Sequence, residues 1–375
     1  MPDHDVLIVG AGPVGMLLAC LLRQDGVNVA ILERRVDADA RTRAIGIHRP
    51  GLDALDAAGL GQAVRAEALV LDGGDVVSRG RTLASLTFSE DRPVLVLPQH
   101  RTDALLRRRL EELPGGGILE GRTVTGLRDA GDEVTVVADG PEAPTRQTAG
   151  MVVVADGVHS PLRASLGIRW RRRPGSGAYA MADIDDAEAG RRATLFCEPG
   201  GLVESFPLPG GRRRWVVRTD APGMDGTVTA DRFRHAIETR TGVRPRLAPG
   251  EDPTSFTVAQ HAARSFVRGR IVLLGDAAHE TSPIGGQGMN LGWLDAVRLA
   301  AEILSTRPGR MPELAGWDRR ARRSAGAAQR RSLFYMAMGA PVPPAAARAR
   351  ESLIRTLGAR PLRRATAGLI TMRGL

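Results

Sequence analysis

The 375-residue sequence contains no lysine, only two cysteines and few aromatic residues, which make up 3% of the chain. The cysteines, Cys20 and Cys197, are too few for a disulfide framework, and neither belongs to a Cys-x-x-Cys pair or a Cys/His group with metal-ligand spacing. A reducing compartment suits such a chain, so we predict a cytoplasmic protein without a metal site. The apolar run at 6–22 follows acidic residues and contains glycines, so it predicts neither a signal peptide nor a membrane span.

The formal net charge is +10, and every basic residue other than histidine is arginine. Strongly basic proteins can bind nucleic acids by neutralising phosphates. The densest arginine groups, at 169–173, 212–214 and 319–323, are not interleaved with a series of aromatic residues that would stack on single-stranded bases. We therefore interpret them as solvated surface cations and predict no nucleic-acid partner.

With 43% hydrophobic and 25% charged residues, the chain has ample material for a core and exceeds the size at which one core usually stops growing. We therefore expect two lobes. The opening predicts a βαβ unit, with a strand at 5–9, a helix at 13–25 and a strand at 28–33.

After this unit, the sequence alternates between segments typical of a parallel sheet and segments typical of an antiparallel sheet. Apolar runs at 151–155 and 271–274 predict strands buried on both faces, as in a parallel sheet. The segments 71–97 and 170–261 instead predict short strands between turns, which suggests an inserted, largely antiparallel domain. Helical periodicity is present at 51–68, 101–113, 229–241, 289–304 and from 315 onward, where Pro341, Pro343 and Pro344 interrupt it.

A glycine triplet, Gly10-x-Gly12-x-x-Gly15, lies between the first predicted strand and helix, and Glu33 ends the second strand. In a dinucleotide-binding unit, the first glycine permits a tight turn, the second lets a pyrophosphate approach and the third lets the helix pack on the sheet. The helix N-terminus favours the phosphate charge, and an acid at the position of Glu33 accepts hydrogen bonds from a ribose. The sequence therefore predicts a dinucleotide site here.

Two more motifs follow predicted buried strands. Asp156-Gly157 comes after the first, and Gly275-Asp276 after the second. The Asp276 carboxylate at such a position needs a polar partner, and a ribityl or ribose hydroxyl is one. Asp156-Gly157 is by itself a common turn, and its position between the other two motifs gives it weight. A proline- and glycine-rich segment at 283–290 then opens a helix and offers backbone N–H groups to a phosphate or a flavin edge.

Together these motifs resemble the FAD-dependent aromatic hydroxylases, the class A flavoprotein monooxygenases typified by para-hydroxybenzoate hydroxylase, over most of the chain from about 6 to 300. The run Arg41-Thr42-Arg43-Ala44 matches another motif of that family. The resemblance implies an α/β fold with a Rossmann-like FAD-binding domain, an interleaved and largely antiparallel substrate domain, and a helical C-terminal tail. The implied boundaries are 1–70, 98–169 and 262–310 for FAD binding, 71–97 and 170–261 for substrate binding, and 311–375 for the helical region.

The resemblance also assigns the site. It implies Arg43, Pro283 and Gly286 as the residues nearest the chemistry. The implied FAD-binding residues are Gly10, Gly12, Gly15, Glu33, Arg34, Arg43, Gln99, Asp156, Gly157, Gly275, Asp276, Gly285, Gly286, Gln287, Gly288, Met289 and Asn290.

In the resembled family, NAD(P)H visits to reduce FAD. The reduced flavin reacts with O2 to a C4a-hydroperoxide, which hydroxylates or epoxidises a small aromatic or polyketide-like substrate. No nucleophilic side chain is needed, and His48, His159 and His279 are candidates for proton transfer.

Two alternatives remain open. A flavin oxidase or dehydrogenase would take hydride from its substrate without inserting oxygen, and an FAD-fold protein could instead bind nucleic acid or a partner protein. The absence of lysine argues against the halogenases that resemble this family, because they use a catalytic lysine. We also expect no thioredoxin-like domain after residue 375.

Overall fold

A computed structural model describes residues 1–37, 44–186, 190–220, 228–248, 252–307, 309–360 and 362–375. Its strands are β1 (His4–Val9), β2 (Val29–Leu32), β3 (Gly46–Ile47), β4 (Leu69–Val70), β5 (Gly73–Ser78), β6 (Arg81–Thr87), β7 (Leu95–Val96), β8 (Thr123–Asp129), β9 (Val134–Asp139), β10 (Thr145–Val154), β11 (Trp170–Asp185), β12 (Arg192–Glu198), β13 (Gly201–Leu208), β14 (Arg212–Arg218), β15 (Thr254–Ala263), β16 (Val267–Arg268), β17 (Ile271–Leu273) and β18 (His279–Glu280).

The helices are α1 (Pro13–Arg23), α2 (Arg49–Ala57), α3 (Gly61–Glu67), α4 (Gln99–Glu112), α5 (Pro161–Ser165), α6 (Ala230–Thr241), α7 (Gly288–Leu304), α8 (Ala315–Met338), α9 (Pro344–Gly358) and α10 (Arg363–Ile370). The predicted α/β fold class is confirmed. Among the described residues, none of the helices combines the length and apolar character that a membrane crossing requires.

The first sheet contains seven strands, and β16, β17, β10, β1 and β2 lie side by side in that order. The pairs β1–β2, β1–β10 and β10–β17 are parallel, whereas β8 and β9 add antiparallel strands beside the start of β10. Val6–Val9 are all buried, as expected of a strand covered on both faces. Helix α1 begins with Pro13, whose fixed φ suits the first turn, and packs against α7 and α4.

The second sheet contains eight strands in the order β18-β15-β11-β14-β13-β12-β5-β6. All neighbours are antiparallel except β12 and β5, which are parallel. Because side chains alternate along a strand, the sheet has two faces with different neighbours. One face, including Val203 and Val217, packs on Phe233 and Ile237 of α6. The other face, the inner face hereafter, packs on residues 284, 336 and 354.

Most predicted elements are present, with shifted ends. The helix predicted at 51–68 is two helices, because the chain turns at Gly59, where φ is +77°. The predicted helix at 101–113 begins two residues earlier. Segments 71–97 and 170–261 both contribute strands to the eight-stranded sheet, and β18 joins it from outside them. The division into an FAD-binding and a substrate-binding domain stays a prediction.

Candidate active site

Four of the predicted motifs leave the seven-stranded sheet at the same level. The register pairs Val9 with both Leu32 and Val154, and Val154 with Leu273. Because these four strands are parallel, the segments that follow them start at one edge of the sheet. Ligands in open α/β sheets bind at this carboxyl edge.

The glycine turn has the geometry that a dinucleotide site requires. Gly10 has φ +108°, and a Cβ there would lie 2.4 Å from the carbonyl oxygen of Ala155. A Cβ on Gly15 would lie 2.2 Å from the carbonyl oxygen of Gly10, so only glycine lets α1 approach the turn. Gly12 differs, because no atom lies within 4 Å of a Cβ placed there. The turn therefore leaves open space over the N-terminus of α1.

Glu33 lies beside this turn and is buried, with 7% of its surface exposed. Its Oε2 accepts a hydrogen bond from the Ala11 N–H at 2.7 Å, and Oε1 accepts from the backbone N–H and the Nε of Arg35, each at 3.0 Å. Burial alone would raise the pKa of Glu33, but these donors and the Arg35 charge outweigh it and lower the pKa. The carboxylate thus stays ionised at the carboxyl edge. Arg34, beside it, is exposed.

Asp156 is the most conspicuous unpartnered group at this edge. Both carboxylate oxygens are buried, and neither makes a well-aligned hydrogen bond to a described residue. Burial raises the pKa of Asp156, while the nearby Ser160 hydroxyl and the Arg163 charge oppose the rise. No atom lies within 4 Å of a Cβ built on Gly157. A polar ligand group in this space would supply the missing partner.

Arg163 connects two of the motifs. Its guanidinium donates to the carbonyl oxygens of Val158 and Ala277 at 2.9 and 3.0 Å, and lies 3.7 Å from the ring centroid of Trp170. The turn after β10 is thereby tied to the Gly275–Ala277 3-10 turn. Asp276 lies in that turn and is exposed.

The segment at 283–290 is fixed mainly by the first turn of α7. Asn290 is fully buried, and its Nδ2 donates to the carbonyl oxygens of Gly46 and Gly286, each at 2.9 Å. Its Oδ1 accepts from the His48 N–H at 2.9 Å. This side chain therefore binds protein groups on both sides and positions the glycine loop against β3.

Other residues of this segment face different surroundings. Pro283 is exposed, and Gly288 and Met289 are partly buried. A Cβ on Gly285 would lie 2.7 Å from the ring of Tyr335. Gln287 is fully buried, yet neither Nε2 nor Oε1 of its amide has a hydrogen-bond partner among the described residues.

The three histidines have different environments. His48 is 5% exposed, its Nε2 lies 3.3 Å from the position of a Cβ on Gly286, and its Nδ1 has no partner in the described part of the chain. Burial lowers the pKa of His48 to about 4, so the ring is neutral at neutral pH. His279 is 1% exposed and bonded to Asp295 at 3.0 Å, whereas His159 is exposed on a turn.

Gln99 begins α4 and pairs with Ala44. The backbone N–H of Gln99 donates to the Ala44 carbonyl oxygen at 3.0 Å, and its Oε1 accepts from the Ala44 N–H at 3.3 Å. Gln99 therefore lies at the end of the Arg41-to-Ala44 motif. Arg43 itself lies outside the described residues.

The residues at this edge fit FAD. Open space lies over Gly12 and Gly157, the Asp156 carboxylate needs a partner, and the buried Gln287 amide can donate and accept. FAD offers a pyrophosphate, a ribose and a ribityl chain, and a ring edge with both N–H and C=O groups. The described residues contain no group of three or more His, Cys, Asp or Glu placed to hold a metal ion.

The arginine groups are not all solvated. Arg214 has a 4% exposed side chain and makes two bonds to Asp183, at 2.6 and 2.8 Å, and Arg213 pairs with Asp186. The prediction of a solvated cation is therefore wrong for Arg214. Members of the arginine groups at 169–173 and 319–323 line one open cleft of about 540 Å³ together with Arg264. The arginines of this cleft are Arg171, Arg173, Arg264, Arg319, Arg322 and Arg323.

The sequence motifs do not indicate three other buried polar groups. Glu204 of β13, Tyr179 of β11 and the Tyr335 hydroxyl of α8 have side-chain oxygens without hydrogen-bond partners among the described residues. Glu204 is the one carboxylate in the buried stretch of β13. A single acid in a mostly apolar strand indicates a buried carboxyl group that needs a polar partner.

The sequence profile of the FAD binding domain family matches residues 3–323. A protein of Streptomyces rimosus subsp. rimosus named 12-dehydrotetracycline 5-monooxygenase/anhydrotetracycline 6-monooxygenase is 34% identical over 98% of this chain and 76% of its own length. The rifampicin monooxygenase of Streptomyces venezuelae is 31% identical over 82% of this chain and 66% of its own length.

Solved structures show the same fold. The anhydrotetracycline hydroxylase of Streptomyces rimosus superimposes with a TM-score of 0.81 at 31% identity, covering 99% of this chain and 76% of that one. The p-nitrophenol 4-monooxygenase of Pseudomonas putida superimposes with a TM-score of 0.86 at 23% identity, over 99% and 98% of the two chains, which supports the fold alone.

The carboxyl-edge site and the family match define a flavoprotein with a Rossmann-like FAD-binding fold. The chain belongs to the FAD-dependent aromatic hydroxylases, the class A flavoprotein monooxygenases. It is an FAD-dependent monooxygenase, with NAD(P)H as the transient co-substrate.

Proposed function

We propose that this monooxygenase oxygenates a polycyclic, polyketide-like aromatic substrate held between the inner face of the eight-stranded sheet and the 283–290 segment. One observation carries the proposal. Ile284, between Pro283 and Gly285, packs into the same apolar cluster as Tyr179, Leu202 and Val216 of the sheet. A substrate between these elements would lie against the segment that we assign to the flavin.

The polarity of this cluster supports a large aromatic substrate. Its members are mainly aliphatic, with methionine and two tyrosines, and ligand pockets of this kind favour apolar rings with a few polar groups. Tetracycline-type molecules stand in the names of the Streptomyces rimosus relatives. The apolar cluster with its tyrosines and the names of these relatives both favour a substrate of fused rings that carry oxygen substituents.

The roles of the site residues follow from their places at the carboxyl edge. We assign the ADP half of FAD to the Gly10–Gly15 turn and Glu33, the ribityl and ribose hydroxyls to Asp156 and Asp276, and the ring to the 283–290 segment. We assign the segments 71–97 and 170–261 to substrate binding. We also propose a cytoplasmic location, because both cysteines are free and buried.

When bound, FAD would accept a hydride from NAD(P)H and would then activate O2. The chain supplies position and exclusion of water. His48 is the histidine best placed to move a proton, because its neutral ring lies beside Gly286 and leaves Nδ1 unpartnered in the described part of the chain.

Labelled oxygen tests the proposed reaction. We expect the purified yellow protein to oxidise NAD(P)H faster when anhydrotetracycline is added, and the product to carry one ¹⁸O atom from ¹⁸O₂. Single-ring phenols serve as the comparison and should stimulate less. Product formation without label would identify an oxidase or dehydrogenase instead, and no stimulation by any fused-ring phenol would contradict the substrate class.

Arg43 provides a second test, although it lies outside the described residues. A guanidinium binds phosphate through two parallel hydrogen bonds, which an ammonium cannot reproduce. We expect Arg43→Lys to retain FAD. Flavin reduction by NAD(P)H should be slower, or the apparent dissociation constant of NAD(P)H should rise about tenfold. Stopped-flow bleaching of the flavin measures both, and Arg49→Lys, at an exposed arginine paired with Asp53, is the control. Equal reduction kinetics for the native chain and both variants would remove Arg43 from the site.

A further inference from the structure

Glu204 lies on the inner face of the sheet. Side chains alternate along β13, so Glu204 points to the same side as Leu202, which belongs to the inner-face cluster. Val203 between them belongs to the cluster on the opposite face. The register confirms this placement, because Glu204 pairs with Val216, another inner-face residue.

The surroundings of Glu204 do not match a carboxyl group. It is 4% exposed, and its buried Oε1 has no hydrogen-bond partner among the described residues. Burial raises the pKa of Glu204 to about 8, and no neighbouring cation opposes the rise. At neutral pH the group is therefore mainly an uncharged acid, with one O–H to donate and a carbonyl oxygen to accept.

Two phenol hydroxyls lie along the same face without partners among the described residues. Tyr179 is 1% exposed and belongs to the same cluster. Burial raises the pKa of its hydroxyl, the Arg218 charge opposes the rise, and a charge on the nearby Glu204 would add to it. Tyr335 packs against the same cluster and covers Gly285 of the 283–290 segment. Three polar groups thus interrupt one apolar surface, and each lacks a partner that a ligand would supply.

The two arginines of β14 on this face are already paired with carboxylates. On β14, the strand beside Glu204, Arg214 binds Asp183 through two bonds, and Arg218 binds Asp220 at 2.6 and 3.0 Å and the Met336 carbonyl oxygen at 3.0 Å. Neither offers a guanidinium free of a carboxylate. A substrate carboxylate next to Glu204 would therefore meet an uncharged acid and no free guanidinium of β14. The nearest cation at the Tyr335 end is Arg331 of α8, whose charge opposes the burial that raises the pKa of Tyr335.

We propose that Glu204, Tyr179 and Tyr335 form a substrate-orienting subsite, in which the carboxylic acid of Glu204 donates a hydrogen bond to a carbonyl or phenol oxygen of an uncharged, fused-ring substrate. The proposal rests on the proposed function, and adds that the site selects neutral keto-phenols over aromatic carboxylates. Glu204 acts here in recognition and orientation, while the oxygen chemistry belongs to the cofactor.

Substitutions at Glu204 separate its possible roles. Glu204→Gln keeps a neutral donor and acceptor of the same shape, whereas Glu204→Leu keeps the volume and removes both. We expect the FAD-loaded native protein, without NAD(P)H, to bind anhydrotetracycline in calorimetry. It should bind 3-hydroxy-2-naphthoate at least about tenfold more weakly than 2-naphthol, which has the same fused rings without the carboxylate. Glu204→Gln should bind anhydrotetracycline within about threefold of the native chain, and Glu204→Leu at least about tenfold more weakly.

Thermal unfolding without any ligand gives a readout that does not depend on the probe. Because the acid lacks a protein partner, Glu204→Leu should raise the Tm of the FAD-loaded protein. Ser205→Ala, on the opposite face, should leave anhydrotetracycline binding unchanged.

The outcomes distinguish this subsite from the proposed function. Equal binding by Glu204→Leu and the native chain, or equal loss in Glu204→Gln and Glu204→Leu, would overturn the role of the neutral acid. A lowered Tm in both variants would show that Glu204 is a structural group and would also overturn it. Failure of the native chain to bind anhydrotetracycline or any other fused-ring phenol would reject the substrate class, and the Tm comparison would still decide the status of Glu204.

Discussion

Replacing Gly12 with alanine is expected to weaken FAD binding about 100-fold or more, a loss of about 2.8 kcal/mol, without unfolding the chain. Gly12 has φ −74° and ψ 171°, which alanine adopts without strain, and no protein atom lies within 4 Å of the added Cβ. The space that the methyl group would fill is where we place the pyrophosphate against the N-terminus of α1. Titration of apoprotein with FAD, followed by flavin fluorescence, measures the loss.

Two other glycines calibrate this result. Gly117 is exposed and equally open, so Gly117→Ala should change neither FAD affinity nor Tm. At Gly15 the added Cβ would lie 2.2 Å from the Gly10 carbonyl oxygen, so Gly15→Ala should lower the Tm as well as FAD affinity. Native FAD affinity in Gly12→Ala would contradict the placement of the pyrophosphate.

The sequence predicts that these motifs follow strands of one parallel sheet, because its signals are local. Each motif follows its own buried strand, and parallel pairing then aligns the strand ends, as the register of Val9 with Leu32 and Val154 shows. The glycine spacing likewise reflects contacts within one turn and one helix. For these parts of the fold, hydrophobic patterning and backbone sterics are enough.

The inner face of the eight-stranded sheet could not be predicted in the same way. The strand β13 is buried on both faces, so its apolar run does not show which side Glu204 occupies. Its neighbours come from distant parts of the chain, including Tyr179 and Ile284. The parallel pairing of β12 with β5 is also non-local, since the two strands are more than 100 residues apart. The pairing register of distant strands determines which face Glu204 occupies, and no short sequence motif predicts that register.

The same limit explains the error at Arg214. Three consecutive arginines resemble a solvated surface, but β11 places Asp183 opposite Arg214 and Asp185 opposite Arg212. Arg214 pairs with Asp183 across the two strands and becomes almost fully buried. Cross-strand charge pairs of this kind depend on register, which the arginine run alone does not contain.

Asn290 connects the two parts of the candidate site. Its amide binds the backbone of Gly46 and His48 on one side and of Gly286 on the other, so one buried side chain fixes β3 against the 283–290 segment. Only an amide supplies two donors and an acceptor in this arrangement. A carboxylate of the same shape would keep the acceptor and would place an oxygen against the two carbonyl oxygens.

Asn290→Asp is therefore expected to destabilise the chain by about 3 kcal/mol at pH 8, because two donated hydrogen bonds are lost and a buried charge faces two acceptors. Burial and the facing carbonyls would raise the folded-state pKa of the introduced carboxyl above its unfolded value of about 3.9, so the deficit relative to the native chain should shrink toward pH 4 and grow as the pH rises. Urea unfolding at both pH values measures it. The matched control is Asn28→Asp at the chain's other asparagine, which is exposed, and a change of about 0.5 kcal/mol is expected there. An equally small, pH-independent change for Asn290→Asp would show that the amide does not hold the 283–290 segment in place.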